Sequence, residues 1–174
     1  TVAVVGEVAD FLTSHKVRNK VLITPDDKPL TIGEVKQYIN LRLAMRGAEN
    51  PEGTIFAIGN DAGVPHSTGN NTDLIELGKT IVFDIFPCEA GGGYFYDFTR
   101  TWCLGYAPDD VLQAYEDVYD VYRTVSAAMK PHTPCRQYQI LTCEQFKAKG
   151  HPTVLHNPKT TDGYVHSLAH GVGL

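Results

Sequence analysis

The chain has 174 residues, 43% of them apolar and 20% charged, with a formal net charge of −5. That is enough material for one domain with a real core but not for two full ones, and the acidic balance argues against nucleic acid as the main partner. No run approaches the ~18 apolar residues of a membrane span, and no signal-peptide pattern opens the chain.

Cys88, Cys103, Cys135 and Cys143 include no CxxC pair, which disfavours a disulfide framework or a structural zinc site and makes a reducing cytoplasm the expected compartment. The chain starts at Thr1 without a methionine and stops within a glycine-rich apolar segment, Gly171-Val172-Gly173-Leu174. It is expected to be a piece of a longer protein.

In chain order, Val5, Val8 and Leu12 stand at helical spacing among polar residues and predict an amphipathic helix over residues 1–16. Pro25, Asp26, Asp27 and Pro29 mark a turn. Thr31 and Glu34 form a capping box for a helix that carries Ile32, Val35, Ile39 and Leu43 inward and ends at Gly47. Residues 53–60, GTIFAIGN, suit a short buried strand. The segment DAGVPHSTGNN that follows is loop material with His66 in its middle, a position where functional loops and ordinary surface residues both occur.

Residues 81–104, IVFDIFPCEAGGGYFYDFTRTWCL, organise the rest. Ile81 to Phe86 reads as a buried strand and Tyr94 to Trp102 as a second, joined by Gly91, Gly92 and Gly93. Asp84 interrupts the first and Asp97 the second. A bare carboxylate in a core strand costs several kcal/mol unless it is paired or holds a metal, so two on adjacent strands favour a shared cation. Locally satisfied carboxylates are the alternative, with Asp84 capping a turn before Pro87 and Asp97 pairing with Arg100.

Pro108 then starts a long helix whose apolar stripe, including Leu112, Tyr115, Val118, Tyr119, Tyr122 and Val125, is expected in the core or at its rim. Thr133 and Pro134 open another, running to about Lys149 and closed by Gly150. In TDGYVHSLAHGVGL, His166 and His170 stand four apart, which would put both on one face of a helix or of a strand. Such a pair suits metal binding or proton transfer, although so short a motif often arises without function.

Taken in order, GVPHSTG, FDIFP, YFYDFTRTWCLG and HSLAHGVGL resemble the metallopeptidase family of the pita-bread fold: Xaa-Pro aminopeptidases, Xaa-Pro dipeptidases, methionine aminopeptidases and creatinases. The resemblance covers nearly the whole chain and sits closer to the Xaa-Pro group than to methionine aminopeptidases. Creatinases lack the metal aspartates, so Asp84 and Asp97 argue against that branch. It implies an α+β fold with helices packed on a curved antiparallel sheet, present here as one partial catalytic domain over residues 1–174 that lacks its C-terminal strands and any upstream domain.

The resemblance further implies that Asp84 and Asp97 bridge two divalent metal ions, manganese first with cobalt, zinc or iron as alternatives, and that His170 binds one of them. His66 and His166 fall on the substrate side, against the peptide carbonyl or the tetrahedral intermediate. The implied activity is hydrolysis of an Xaa-Pro peptide bond at the N-terminus of a proline-containing peptide, through a hydroxide held by both metals.

Two features depart from the pattern. Asp84 and Asp97 are 13 apart (97 − 84), wider than expected, so the turn over 87–93 carries a small insertion, which a hairpin tip tolerates. Two further glutamate ligands are expected downstream of HGVGL, where this chain ends, and one of them would be the general acid–base. The piece alone is therefore expected to bind metal weakly and to be inactive, and strand edges left open by missing partners favour a homodimer. A non-catalytic pita-bread module that binds peptides or proteins is the competing expectation; such relatives usually lose metal ligands. A metal-free, creatinase-like hydrolase is a third.

Overall fold

The structure, a computed structural model, describes residues 1–171 and 173; Val172 and Leu174, within the HGVGL motif, lie outside the described residues. The described chain divides into two compact units, Thr1–Pro108 joined by Gly173, and Asp109–Gly171.

The first unit begins as the apolar spacing dictates. Val4, Val5, Val8 and Leu12 form the buried stripe of α1 (Val2–Thr13). The chain then makes a tight antiparallel hairpin, β1 (Lys16–Arg18) and β2 (Val21–Ile23), turning at Asn19 and Lys20, whose φ values are 52° and 66°. Two successive left-handed residues are the geometry of a two-residue I′ loop. The sequence reading missed this hairpin because Asn-Lys lacks the glycine that usually signals it.

The Thr31–Glu34 capping box is present in full. The Thr31 side chain accepts from the Glu34 N–H, and Glu34 Oε2 accepts from the Thr31 N–H at 2.8 Å. The helix it opens, α2 (Ile32–Ala44), buries Ile32, Val35, Ile39 and Leu43. Glu7 of α1 pairs with Arg42 and Arg46 and ties the two helices together.

A short strand β3 (Ala48–Glu49) leads into β4 (Thr54–Ile58). After the loop that carries His66 come β5 (Thr80–Ile85), β6 (Cys88–Glu89) and β7 (Phe98–Cys103). The main sheet is antiparallel in the order β4-β5-β7, and β3 pairs β6 beside it. One face of the main sheet, with Phe56, Ile58, Ile81, Phe83 and Ile85, packs on α1 and α2 residues to form a single core. Phe83 lies between Phe56 and Trp102, at ring-centroid distances of 5.3 and 5.4 Å.

The second strand of the central hairpin starts later than the sequence suggested. Tyr94 to Asp97 lie outside β7, where a bridge joins Phe95 to Cys88, the Tyr96 N–H donates to the Pro87 carbonyl at 2.9 Å and the Phe95 N–H to the Gly173 carbonyl at 2.8 Å. Gly91 and Gly92, with φ of 89° and 87°, let the chain reverse there, a conformation open to glycine at little cost.

The second unit is a helical hairpin, α3 (Asp109–Ala128) and α4 (Cys135–Ala148), followed by a segment held by turns and one bridge, Thr153 to Tyr164. Val121, Val125 and Phe146 form its core with Tyr138, Leu141, Tyr164 and Leu168 around them. The expected burial of the α3 tyrosines is overturned: Tyr115, Tyr119 and Tyr122 are 57%, 49% and 63% exposed and stack on one another along the helix. Periodicity shows that a helix has an apolar stripe but not which stripe meets a partner, and the buried positions of α3 are Asp117, Val121 and Val125. Asp117 is carried by Lys149 at 3.1 Å, His151 at 2.9 Å and Gln113 at 3.3 Å.

Candidate metal-binding and substrate-binding residues

Strand β5 alternates strictly, with Ile81, Phe83 and Ile85 buried and Thr80, Val82 and Asp84 half-buried on the other face. Asp84 is therefore not in the core and does not carry the cost of a buried carboxylate. In register, Asp84 lies between Ile55 of β4 and Thr99 of β7, and the next row is Ala57, Val82 and Thr101. The Thr99 hydroxyl donates to Asp84 Oδ1 at 2.7 Å, which orients the carboxylate across the strand pair.

Asp97 stands just before β7, two residues from Thr99, and is half-buried as well. The β5–β7 ladder ends at the Ile85–Phe98 pair, so Asp97 adjoins its end, two positions from the partner of Asp84. Arg100 stacks its guanidinium 4.0 Å from the Phe98 ring centre and donates to the Thr99 carbonyl at 2.8 Å. Asp84 with Thr80, Thr99 and Thr101 gives this outer face a row of oxygen donors.

His66 is exposed on its loop with φ of 61°, a left-handed conformation that costs an L-residue about 1–2 kcal/mol. The Ser67 N–H closes a turn onto the Val64 carbonyl at 3.0 Å. Further along, the Phe56 N–H of β4 donates to the Thr68 carbonyl at 3.2 Å, the Gly33 N–H to the Asn71 carbonyl at 2.9 Å, and Lys36 reaches Asn71 Oδ1 at 3.2 Å. The histidine thus rides on a loop pinned to β4 and to the start of α2.

His166 and His170 belong to the second unit, in a segment that is neither helix nor strand, so the expected common face does not form. Each ring is instead fixed by its own backbone. His166 Nδ1 lies 2.8 Å from the Ser167 carbonyl and His170 Nδ1 2.9 Å from the Gly171 carbonyl. A carbonyl can only accept, so Nδ1 carries the proton, and in a neutral ring Nε2 is then the lone-pair nitrogen. For His170 that is the form a metal ligand needs. For His166 it means that donation to an oxyanion requires a doubly protonated ring.

The donor set fits divalent metal by kind: an aspartate on β5, another just before β7, and a histidine whose second nitrogen is oriented by a carbonyl. Among the described residues, however, no three or more His, Cys, Asp or Glu side chains come together as a cage. Within the first unit the fold brings Asp84 and Asp97 to one strand pair. His66 is carried on its loop in the same unit, and the other two histidines are in the second unit. Thr99 was missed from sequence, although its place two residues after Asp97 gave it the right strand face.

Against known proteins, the family model described as Metallopeptidase family M24 matches residues 9–174. The chain belongs to this family. It is 30% identical over 142 residues to a Xaa-Pro dipeptidase of Pyrococcus furiosus, covering 81% of this chain and 37% of that protein. It is 29% identical over 146 residues to the Bacillus subtilis peptidase YqhT, covering 82% of this chain and 38% of that one.

Among solved structures, a prolidase from Pyrococcus furiosus superposes with a TM-score of 0.69 at 26% identity, over 96% of this chain and 44% of that chain. A Xaa-Pro dipeptidase from Bacillus anthracis gives 0.71 at 21% identity, over 98% and 41%, a likeness of fold alone. The M24 chain thus has the α+β pita-bread architecture of these prolidases and spans less than half of their length.

Proposed function

We propose that the protein containing this M24 chain is a metal-dependent exopeptidase that hydrolyses the Xaa-Pro bond at the N-terminus of a proline-containing peptide. The observation that carries the reading is Asp84 on the outer face of β5, aligned at 2.7 Å by Thr99 of β7 with Asp97 just before that strand, in a chain whose relatives include a Xaa-Pro dipeptidase. In this reading Asp84, Asp97 and His170 hold two divalent ions, manganese first, with cobalt, zinc and iron as alternatives. Ions bound there would lower the pKa of water and polarise the scissile carbonyl. The chain's own contribution is orientation: Thr99 fixes one carboxylate, the Gly171 carbonyl fixes the His170 tautomer, and His66 and His166 stand on the substrate side.

The full protein is also proposed to be a homodimer in a reducing cytoplasm, a compartment supported by four cysteines held as thiols. Light scattering and cell fractionation test those two points; a monodisperse monomer would count against the dimer.

The deciding experiment is metal content and Xaa-Pro dipeptide cleavage by the full-length protein, before and after chelation and with manganese restored. Two metals per chain with restored cleavage are expected, and Asp84→Ala or Asp97→Ala should abolish turnover. Wild-type activity in either variant would overturn the reading. No metal and no cleavage would favour a non-catalytic peptide-binding module, and activity surviving the chelator a metal-free hydrolase.

A further inference from the structure

Gln139 of α4 is half-buried, and its carboxamide fills all four of its hydrogen-bonding positions. Nε2 donates to the His166 carbonyl at 3.3 Å and to Cys143 Sγ at 3.7 Å. Oε1 accepts from the Leu168 N–H at 2.6 Å and from the Tyr164 hydroxyl at 3.4 Å. The reversed amide would set a donor against the Leu168 N–H and an acceptor against the His166 carbonyl, so the orientation is dictated by the partners. Tyr164 holds its proton firmly, because burial pushes its pKa up to about 12.

The two backbone bonds straddle Ser167 in a segment without regular structure of its own. Leu168 and Tyr164 pack against Val121, Val125 and Phe146, so one end of the clamp rests on the core of its unit. The other end grips the peptide group of His166, whose ring is in turn bonded through Nδ1 to Ser167. A rigid helix, one amide and a short backbone loop therefore determine where the imidazole stands.

We propose that Gln139 is a positioning residue: it fixes the His166–Leu168 backbone, and through it the His166 imidazole, for substrate turnover. The proposal rests on the assignment of His166 to the substrate side made above. Ordering a catalytic group in advance matters because displacements near 1 Å can cost about 100-fold in rate.

The test uses full-length protein carrying Gln139→Met, which keeps length and bulk but loses every polar contact, or Gln139→Glu, which keeps the acceptor for Leu168 and loses the donor to His166. We expect kcat/KM on an Xaa-Pro dipeptide to fall by about 10–100-fold in Gln139→Met, the usual range for groups that orient site residues, and by a comparable factor in Gln139→Glu, whose carboxylate faces the His166 carbonyl without a donor. Amide hydrogen exchange should accelerate at Leu168 by at least about tenfold while amides within β5 keep their wild-type rates. Metal content should not change.

Wild-type kcat/KM in Gln139→Met, or unchanged exchange at Leu168, would overturn the proposal. Should Gln139→Met fail to fold, Gln139→Glu decides by kcat/KM alone, because it loses the donor to His166 and keeps the acceptor for Leu168. Absence of cleavage by the wild-type protein would overturn the peptidase reading itself, and Leu168 exchange would still decide whether the clamp exists.

Discussion

Replacing Gly69 by alanine probes how the His66 loop is fastened to the sheet. Gly69 has φ of 79°, and a Cβ there would lie 2.1 Å from the Phe56 carbonyl oxygen, 2.9 Å from its carbon and 3.0 Å from Ala57 Cα. All three are backbone atoms of β4, whose Phe56 and Ala57 are buried, so none can rotate away as a side chain would. The left-handed conformation costs an alanine about 1–2 kcal/mol, and the hydrogen bond between the Phe56 N–H and the Thr68 carbonyl, lost when the loop lifts, about 0.5–1.5 kcal/mol more.

Gly69→Ala should therefore destabilise the first unit by at least roughly 2–3 kcal/mol. Gly47 is the internal control, because its φ is 67° but nothing lies within 4 Å of its virtual Cβ, so only the conformational cost of about 1–2 kcal/mol applies. Urea unfolding of the two variants beside wild type, with m-values required to agree, gives the comparison. Equal loss of stability in Gly47→Ala and Gly69→Ala would refute the argument that contact with β4, and not φ, sets the cost at Gly69.

Thr99→Val removes the hydroxyl that aligns Asp84 and keeps the side chain's shape. In the full-length protein it should weaken metal binding by about 10–100-fold, with Thr99→Ser close to wild type, and calorimetric titration showing equal affinity for all three would exclude an orienting role. In the second unit, the hydrogen bond from His151 and then that from Lys149 hold the Asp117 carboxyl below its usual value of 3.8. A depressed carboxyl pKa contributes stability that is fully present above the unfolded-state value of about 3.9 and is lost as pH falls through the folded one. The gap in thermal midpoint between wild type and Asp117→Asn should thus be open above about pH 5 and close on acidification below about pH 4; a gap that widens on acidification would contradict this sign.

The Thr31–Glu34 box, the α2 stripe of Ile32, Val35, Ile39 and Leu43, and the Gly150 stop after α4 were legible because each depends on residues within a turn or two of one another. The Asn19-Lys20 turn was not, because it uses left-handed residues without glycine. Asp84 and Asp97 were singled out as buried carboxylates, and that reason failed: both are half-buried, where a carboxylate pays little for desolvation.

What the sequence determined by itself was local: helix ends and buried stripes, the order of the motifs, and through that order the family. Propensity, capping and side-chain period act over a few residues and need no partner to be read. The tertiary structure alone decided which stripe of α3 is covered, that Thr99 faces Asp84 across β5 and β7, and that Gln139 reaches 27 residues along the chain to hold His166. Those facts depend on register and on contact between distant segments, and no period within a single segment encodes either.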